Sequence, residues 1–374
     1  MRIGVVTSAY HPDVGGVETH CRRLCAALVA AGDRVEVLTQ HAAGAEETVD
    51  GVLVRRFPLT VAARNYRFST ALWQWLRAHA GRYDVLHAHS YHALAALPAA
   101  LTNATPLVFT PHYHGTGHSR LRAALHPIYR PVGRRIVARS SRIICVTHAE
   151  RELLVGHFPE AADRMVVIPN GTDPARAAVP AAEGEPGRGI VCVGRLERYK
   201  RVDRVIRAMV HLPADHRLDV VGAGPARDEL EQLAGRLGLD AGRVRFHGRL
   251  RDAEFAARMA GAAAAVSASA HEAFGMAVAD ALNAGVPTVA SFIPAHRELA
   301  VMAGDGVPLW LVNPDDEAAL ADALRVAAGT PRAAYGRHAL PTWSDVVQST
   351  REVYATVAPP VRLIQQSGAG ATDR

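Results

Sequence analysis

The 374-residue sequence contains a single lysine, Lys200, against 41 arginines. In a chain that uses arginine so freely, a lone ammonium marks a place where a compact point charge serves and a planar guanidinium does not. Cysteine is scarce too: Cys21 and Cys25 share one helical stretch, and Cys145 and Cys192 sit in separate strand-like runs. Thiols so placed suit reduced, buried side chains and exclude a disulfide framework. No apolar run approaches the roughly 18–20 residues of a membrane-spanning helix. The opening MRIGVVTSAYHPD has one arginine and a short apolar run that stops before Pro12, so it reads as a first β-strand and the protein is expected in the cytoplasm. An Asp-x-Asp metal motif is absent throughout.

What is present is a hydrophobic content of 49% with 21% charged residues, enough for two cores of somewhat under about 200 residues each. Charge divides unevenly. Residues 1–180 hold 20 Arg and 13 acidic residues, net +7, whereas residues 181–374 hold 21 Arg and one Lys against 23 acidic residues, net −1. The first half is therefore expected to meet anionic material or a membrane surface more often than the second.

Apolar β-like runs alternate with helical stretches in both halves, which predicts parallel sheets covered by helices on both faces. The first half offers seven strands, RIGVVTS, RVEVLTQ, VLVRRF, DVLHAHS, PLVFTPH, RIICVTH and MVVIPN. Between the first two, Val17, Cys21, Leu24 and Leu28 share a helical face opposite Arg22 and Arg23. A Pro-, Ala- and Gly-rich stretch without periodicity then separates two α/β domains, 1–175 and 189–342, with the linker at 176–188. Strands in the second are expected at 190–193, 218–221, 244–247, 264–268 and 286–290. A helix near 316–328, a last helix at 343–358 and a disordered tail at 366–374 complete the reading.

Chemistry-bearing residues fall at strand-to-helix junctions. Gly15 and Gly16 leave backbone amides bare at a helix start, where an anion can approach, although a plain tight turn would look the same. Arg195 and Lys200 in GRLERYK are spaced to converge on a diphosphate, the alternative being a solvated basic helix start. GAGP at 222–225 could admit a nucleotide backbone at Gly222, but the GxGxxG fingerprint of a nicotinamide enzyme is incomplete. In SASAHEAFGMAVADAL, His271, Glu272, Phe274 and Gly275 precede a helix whose N-terminal amides face whatever the loop holds. A carboxylate there can accept sugar hydroxyls, and Asp280 within the helix could reach a second group. His112 and His114 in TPHYHG end a strand at the carboxyl edge, where doubly wound sheets bind ligands; a polar substrate contact is favoured over a metal.

Together GGVE, TPHYHG, VTHAERELL, VIPNGTD, VGRLERYKRVDRVI, VVGAGPARDEL, VRFHGRL, HEAFGMAVADALNAGVPTVAS and the Trp343 helix resemble the family-4 glycosyltransferases of GT-B fold, over almost the whole chain. The resemblance implies two Rossmann-like doubly wound domains facing a cleft, with the last helix packing back on the N-terminal domain. It implies a retaining, metal-independent transfer of a hexosyl group from a UDP- or GDP-sugar, with no cofactor and no nucleic acid. Arg195 and Lys200 would hold the leaving diphosphate, and Gly15, Gly16 and Gly222 would give backbone contacts to the donor. Glu272, Phe274, Gly275 and Met276 would fix the sugar, and the loop ending at Leu250 would read the base. His112 would lie by the transferred sugar, and Glu18, His112 and His114 would line the acceptor side. Asp280 stands where the family places the glutamate that holds the ribose, one methylene shorter. With no protein nucleophile, catalysis rests on positioning and on charge stabilisation of the departing group.

Other readings of the same residues are a non-catalytic nucleotide-sugar binder, a phosphorylase, or an epimerase of this fold. The acceptor stays open among lipid, glycan and small natural product. The stretch 120–142 carries seven arginines among Leu, Ile, Val and Tyr, and could lie on anionic lipid at the inner face of the membrane or form an ordinary solvated helix face.

Overall fold

The computed structural model describes residues 1–13, 15–63, 66–91, 93–114, 131–173, 189–239, 241–332 and 340–358. The linker expected at 176–188, the tail at 366–374 and residues 120–130 of the basic stretch lie outside the described residues.

Each β-branched run expected in the first half forms a strand. With three further strands, the first half holds in chain order β1 (Arg2–Thr7), β2 (Arg34–His41), β3 (Ala45–Val49), β4 (Val52–Pro58), β5 (Val61–Ala63), β6 (Tyr66–Phe68), β7 (Val85–His89), β8 (Leu107–Thr110), β9 (Arg142–Cys145) and β10 (Met165–Val167). Eight of them make one sheet in the order β10-β9-β8-β7-β1-β2-β4-β3, parallel except for β3. The second half adds β11 (Gly189–Val193), β12 (Arg217–Val221), β13 (Val244–Gly248), β14 (Ala264–Ser267), β15 (Thr288–Ser291) and β16 (Leu309–Val312), all parallel in the order β13-β12-β11-β14-β15-β16.

Four strands go beyond the sequence reading. β3 pairs antiparallel on the edge, and β5 and β6 form a small hairpin. β3 has no buried face to produce alternation. It is held instead by cross-strand ion pairs from Arg55 to Glu46 and from Arg56 to Glu47. β16 closes the second sheet with residues of intermediate exposure.

In both sheets the strand order reverses beside the first strand of the domain, between β1 and β7 and between β11 and β14, and the crevice at such a switch point is where open α/β sheets bind ligands. The helix after β1, α1 (Gly16–Ala30), buries His20, Cys21, Leu24, Cys25 and Leu28 against the first sheet. The helix at 343–358 is observed as Trp343–Ala355. Trp343, Val346, Val347 and Tyr354 join Ile3, Val5, Cys21 and Leu24 in a single apolar cluster, so a helix that follows the second domain completes the core of the first. Thr342 and Asp345 cap it reciprocally. Gly171 makes room for the crossing, since a Cβ there would lie 2.6 Å from the Trp343 backbone nitrogen.

The two domains also touch directly. Val146 from the first packs with Phe274, Val278 and Leu282 from the second. Thr147 Oγ1 donates to the Ala273 carbonyl at 3.0 Å, and the Glu298 carboxylate accepts from the amides of His148 and Ala149 at 2.7 and 3.2 Å. Among the described residues, no helix is long and apolar enough to cross a membrane.

Candidate active site

The loops at the carboxyl ends of both sheets carry the residues singled out from sequence, and they meet where His114 approaches His271. On the C-terminal side the chain leaves β11 through Gly194, whose open face lets the Lys200 stem pass, the Cε lying 3.7 Å from where a Cβ would stand. Gly222, at φ +140, passes so close that a Cβ would lie 1.9 Å from the Gly194 carbonyl oxygen. Only glycine permits this approach of two loops.

Lys200 Nζ sits 2.5 Å from Glu272 Oε1, each side chain 16% exposed. Burial alone would raise the Glu272 carboxyl, but the Lys200 ammonium beside it holds it down to about 2. Burial likewise disfavours the ammonium, and Glu272 more than restores it, leaving Lys200 above its usual value. The sequence assigned these two groups to different parts of a ligand; here they are partners. A ligand that engages both groups must share or replace this pair.

Arg195 lies half exposed beside them and donates to the Tyr199 hydroxyl at 2.9 Å. Tyr199 in turn stacks on His271, with ring centroids 4.7 Å apart and planes at 12°. Gly275 starts the helix Met276–Asn283 in a left-handed conformation, φ +101, and a Cβ there would press on His296 at 2.9 Å. Phe274 is buried in the interdomain cluster, and Leu250 packs against Val191 and Val221 beneath the crevice.

From the N-terminal side, Gly15 caps α1 with extended backbone, and a Cβ would collide with the Glu18 carboxylate at 2.2 Å. At Gly16 a Cβ would meet open space. Burial raises the Glu18 carboxyl, offset in part by its own backbone amide and by Arg195 of the opposite domain. His114 reaches His271 across the cleft at 4.9 Å between centroids. His112, at φ +49, turns instead toward His20 and His89. Burial pushes all three imidazoles down, His20 to about 4, so they are neutral near pH 7.

Asp280, expected to reach a second group of the donor, pairs here with the other domain. It accepts from Arg23 of α1 at 3.2 Å, bridging the domains. Met276 likewise faces the other domain, taking a hydrogen bond from Asn170 Nδ2 at 3.2 Å. Sequence reasoning named neither Tyr199 nor His20 as a site residue. Tyr199 sits inside the motif already read, and His20 lies on the buried face of α1, where it looks like a core residue.

The N-terminal part matches the model of Glycosyltransferase Family 4 over residues 14–176, and residues 187–328 match that of Glycosyl transferases group 1. A phosphatidyl-myo-inositol mannosyltransferase of Mycolicibacterium smegmatis is 30% identical across 100% of this chain and 98% of its own length. The chain belongs to the family-4 glycosyltransferases. A second relative, the D-inositol 3-phosphate glycosyltransferase of Xylanimonas cellulosilytica, is 30% identical over 92% of each chain. Among solved structures, the HepE protein of Anabaena in complex with UDP and glucose superposes with a TM-score of 0.74 at 20% identity, over 95% of this enzyme and 99% of HepE. The sucrose-phosphate synthase of Thermosynechococcus elongatus does so with 0.73 at 20%, over 95% and 98%. These two likenesses establish the GT-B fold of the enzyme.

Proposed function

We propose that the enzyme transfers a hexosyl group from a UDP- or GDP-sugar to an acceptor hydroxyl with retention of anomeric configuration, without a metal at the diphosphate. The observation that carries this reading is the convergence of Arg195, Lys200 and Glu272 at one switch point, opposite Glu18 and His114 at the other. Arg195 and Lys200 hold the β-phosphate, taking the place of a divalent cation, and Glu272 turns from Lys200 to the sugar hydroxyls. The acceptor oxygen attacks the anomeric carbon from the face the phosphate leaves, the sugar–phosphate bond breaks, and the departing phosphate oxygen takes the acceptor proton. Catalysis then consists of alignment and stabilisation of the leaving charge. His112 is assigned to the neighbourhood of the transferred sugar.

The acceptor class that the two relatives suggest is a ring polyol of the inositol type, carried on a lipid, a glycan or a small molecule. The basic segment 120–142 would bring the enzyme to anionic lipid at the inner face of the membrane in the first case. The test is incubation of the full chain with UDP- and GDP-sugars and inositol, inositol phosphate or phosphatidylinositol, followed by NMR of the product anomer. Transfer with retention that withstands chelator is expected. An inverted product, or activity lost with chelator and restored by Mg²⁺, would overturn the reading.

A further inference from the structure

We propose that His20, His89 and His112 form a binding site for a divalent transition ion of the zinc class on the N-terminal wall of the cleft. The three come from separate elements, α1, the end of β7 and the loop after β8, and one nitrogen of each lies within 4.8 Å of the others. His20 and His89 are buried, while His112 is partly exposed.

Hydrogen bonding selects these three rings and rejects a fourth. His87 packs on His89 with centroids 4.1 Å apart, but spends both nitrogens, on the Tyr354 hydroxyl at 2.6 Å and Thr110 Oγ1 at 2.8 Å. It is a satisfied core histidine. His20 is not satisfied. Its Nδ1 lies 2.8 Å from Asn170 Oδ1, and the Asn170 amide is oriented by its Nδ2 donating to Met276 Sδ. His20 Nδ1 therefore carries the proton, and Nε2 presents a lone pair that no buried donor meets. An imidazole whose far nitrogen is anchored by a carbonyl oxygen is the arrangement of a metal-ligating histidine. Such an orphan is costly in a core that satisfies nearly all its polar groups.

The spacing fits the same ion. His89 Nδ1 and His112 Nε2 are 3.4 Å apart, sharing a long hydrogen bond whose proton an ion would displace. Two ligands on a tetrahedral ion with metal–nitrogen bonds of about 2.0–2.1 Å stand about 3.3–3.4 Å apart. Rotation of one ring draws in the third nitrogen. Three neutral imidazoles, with no carboxylate among them, favour Zn²⁺, Co²⁺, Ni²⁺ or Cu²⁺ over Mg²⁺ or Ca²⁺ and leave a fourth position for water. An ion held here keeps His112 from the transferred sugar, so occupancy lowers transfer; this last consequence alone rests on the proposed function.

The experiment is titration of metal-free full-length enzyme with Co²⁺, read by visible absorption, then with Zn²⁺ in competition. One equivalent of Co²⁺ with the intense bands of four-coordinate geometry, displaced by one equivalent of Zn²⁺, is expected. His20→Ala and His89→Ala should each weaken Zn²⁺ binding by about 10–100-fold, whereas His114→Ala leaves metal affinity unchanged. No stoichiometric uptake by wild type, or only a six-coordinate Co²⁺ spectrum, overturns the site without recourse to any variant. So does affinity unaltered in both folded alanine variants. Zn²⁺ that binds at these residues without slowing transfer leaves the site standing and removes His112 from the sugar.

Discussion

The same topological crevice occurs twice in this molecule and is loaded with opposite chemistry. Beside β11 and β14 it holds Arg195, Lys200 and Glu272, fixed charges that pairing keeps ionised against burial. Beside β1 and β7 it holds bare glycines and imidazoles that burial keeps neutral. The domain with the larger net charge thus has the less charged crevice. Bulk charge tells where a domain is drawn, and the switch point tells what it handles.

The comparison is broken most severely by removing one member of the charged pair. Lys200→Met leaves Glu272 buried and unpaired, and should destabilise the C-terminal domain by about 3–5 kcal/mol in urea unfolding and abolish transfer. Lys200→Met/Glu272→Gln removes both charges and should recover most of that stability but none of the transfer. If the double variant is as unstable as the single, the pair is not what holds Glu272.

Next in size are the glycines. Gly222→Ala forces a Cβ into the Gly194 carbonyl at a positive φ, and should cost roughly 3 kcal/mol or more, read as a lowered melting temperature. Gly16→Ala meets open space, so its melting temperature should stay within about 2 °C of wild type while nucleotide affinity falls. A stable Gly222→Ala would mean that the second crevice is as roomy as the first.

Acidification sharpens the contrast by a smaller margin. A carboxyl held at about 2 in the fold and near 4.5 when unfolded contributes stability above pH 4.5, which is lost as pH falls through 2. Stability against pH should show this loss in wild type and a flatter acid limb in Lys200→Met/Glu272→Gln. The smallest effect belongs to the interdomain pair. Arg23→Gln keeps a donor beside Asp280 but loses the charge of a pair 12% and 17% exposed, and should cost about 1–3 kcal/mol of stability, while loosening Asp280 toward the donor. Tighter nucleotide binding by this variant, measured by calorimetry, would support the ribose role expected of Asp280.

The parallel framework and both crevices were legible because buried strands such as RIGVVT and RLDVV leave continuous apolar runs between glycine-rich turns. β3 was not, because AEETV buries almost nothing and is held by partners in the adjacent strand. Arg195, Lys200 and Glu272 were readable as motif residues. That Lys200 and Glu272 are partners was not, since 72 residues separate them and only the sheet order brings β11 and β14 together. The histidine cluster was hidden for the same reason. His20 shows in sequence as one polar residue on an apolar helix face, and its neighbours arrive from strands 65 and more residues away.

The crossover helix sets a timetable for the nascent chain. Trp343 and Tyr354 fill a face of the first sheet, yet they are synthesised about 175 residues after β10. At a translation rate of about 5–20 residues per second that face waits roughly 10–35 s for its cover. Until then the first domain offers a greasy, half-finished surface to the ribosome exit and to whatever chaperones stand there. It is finished only when the second domain has been made and its far end has come back.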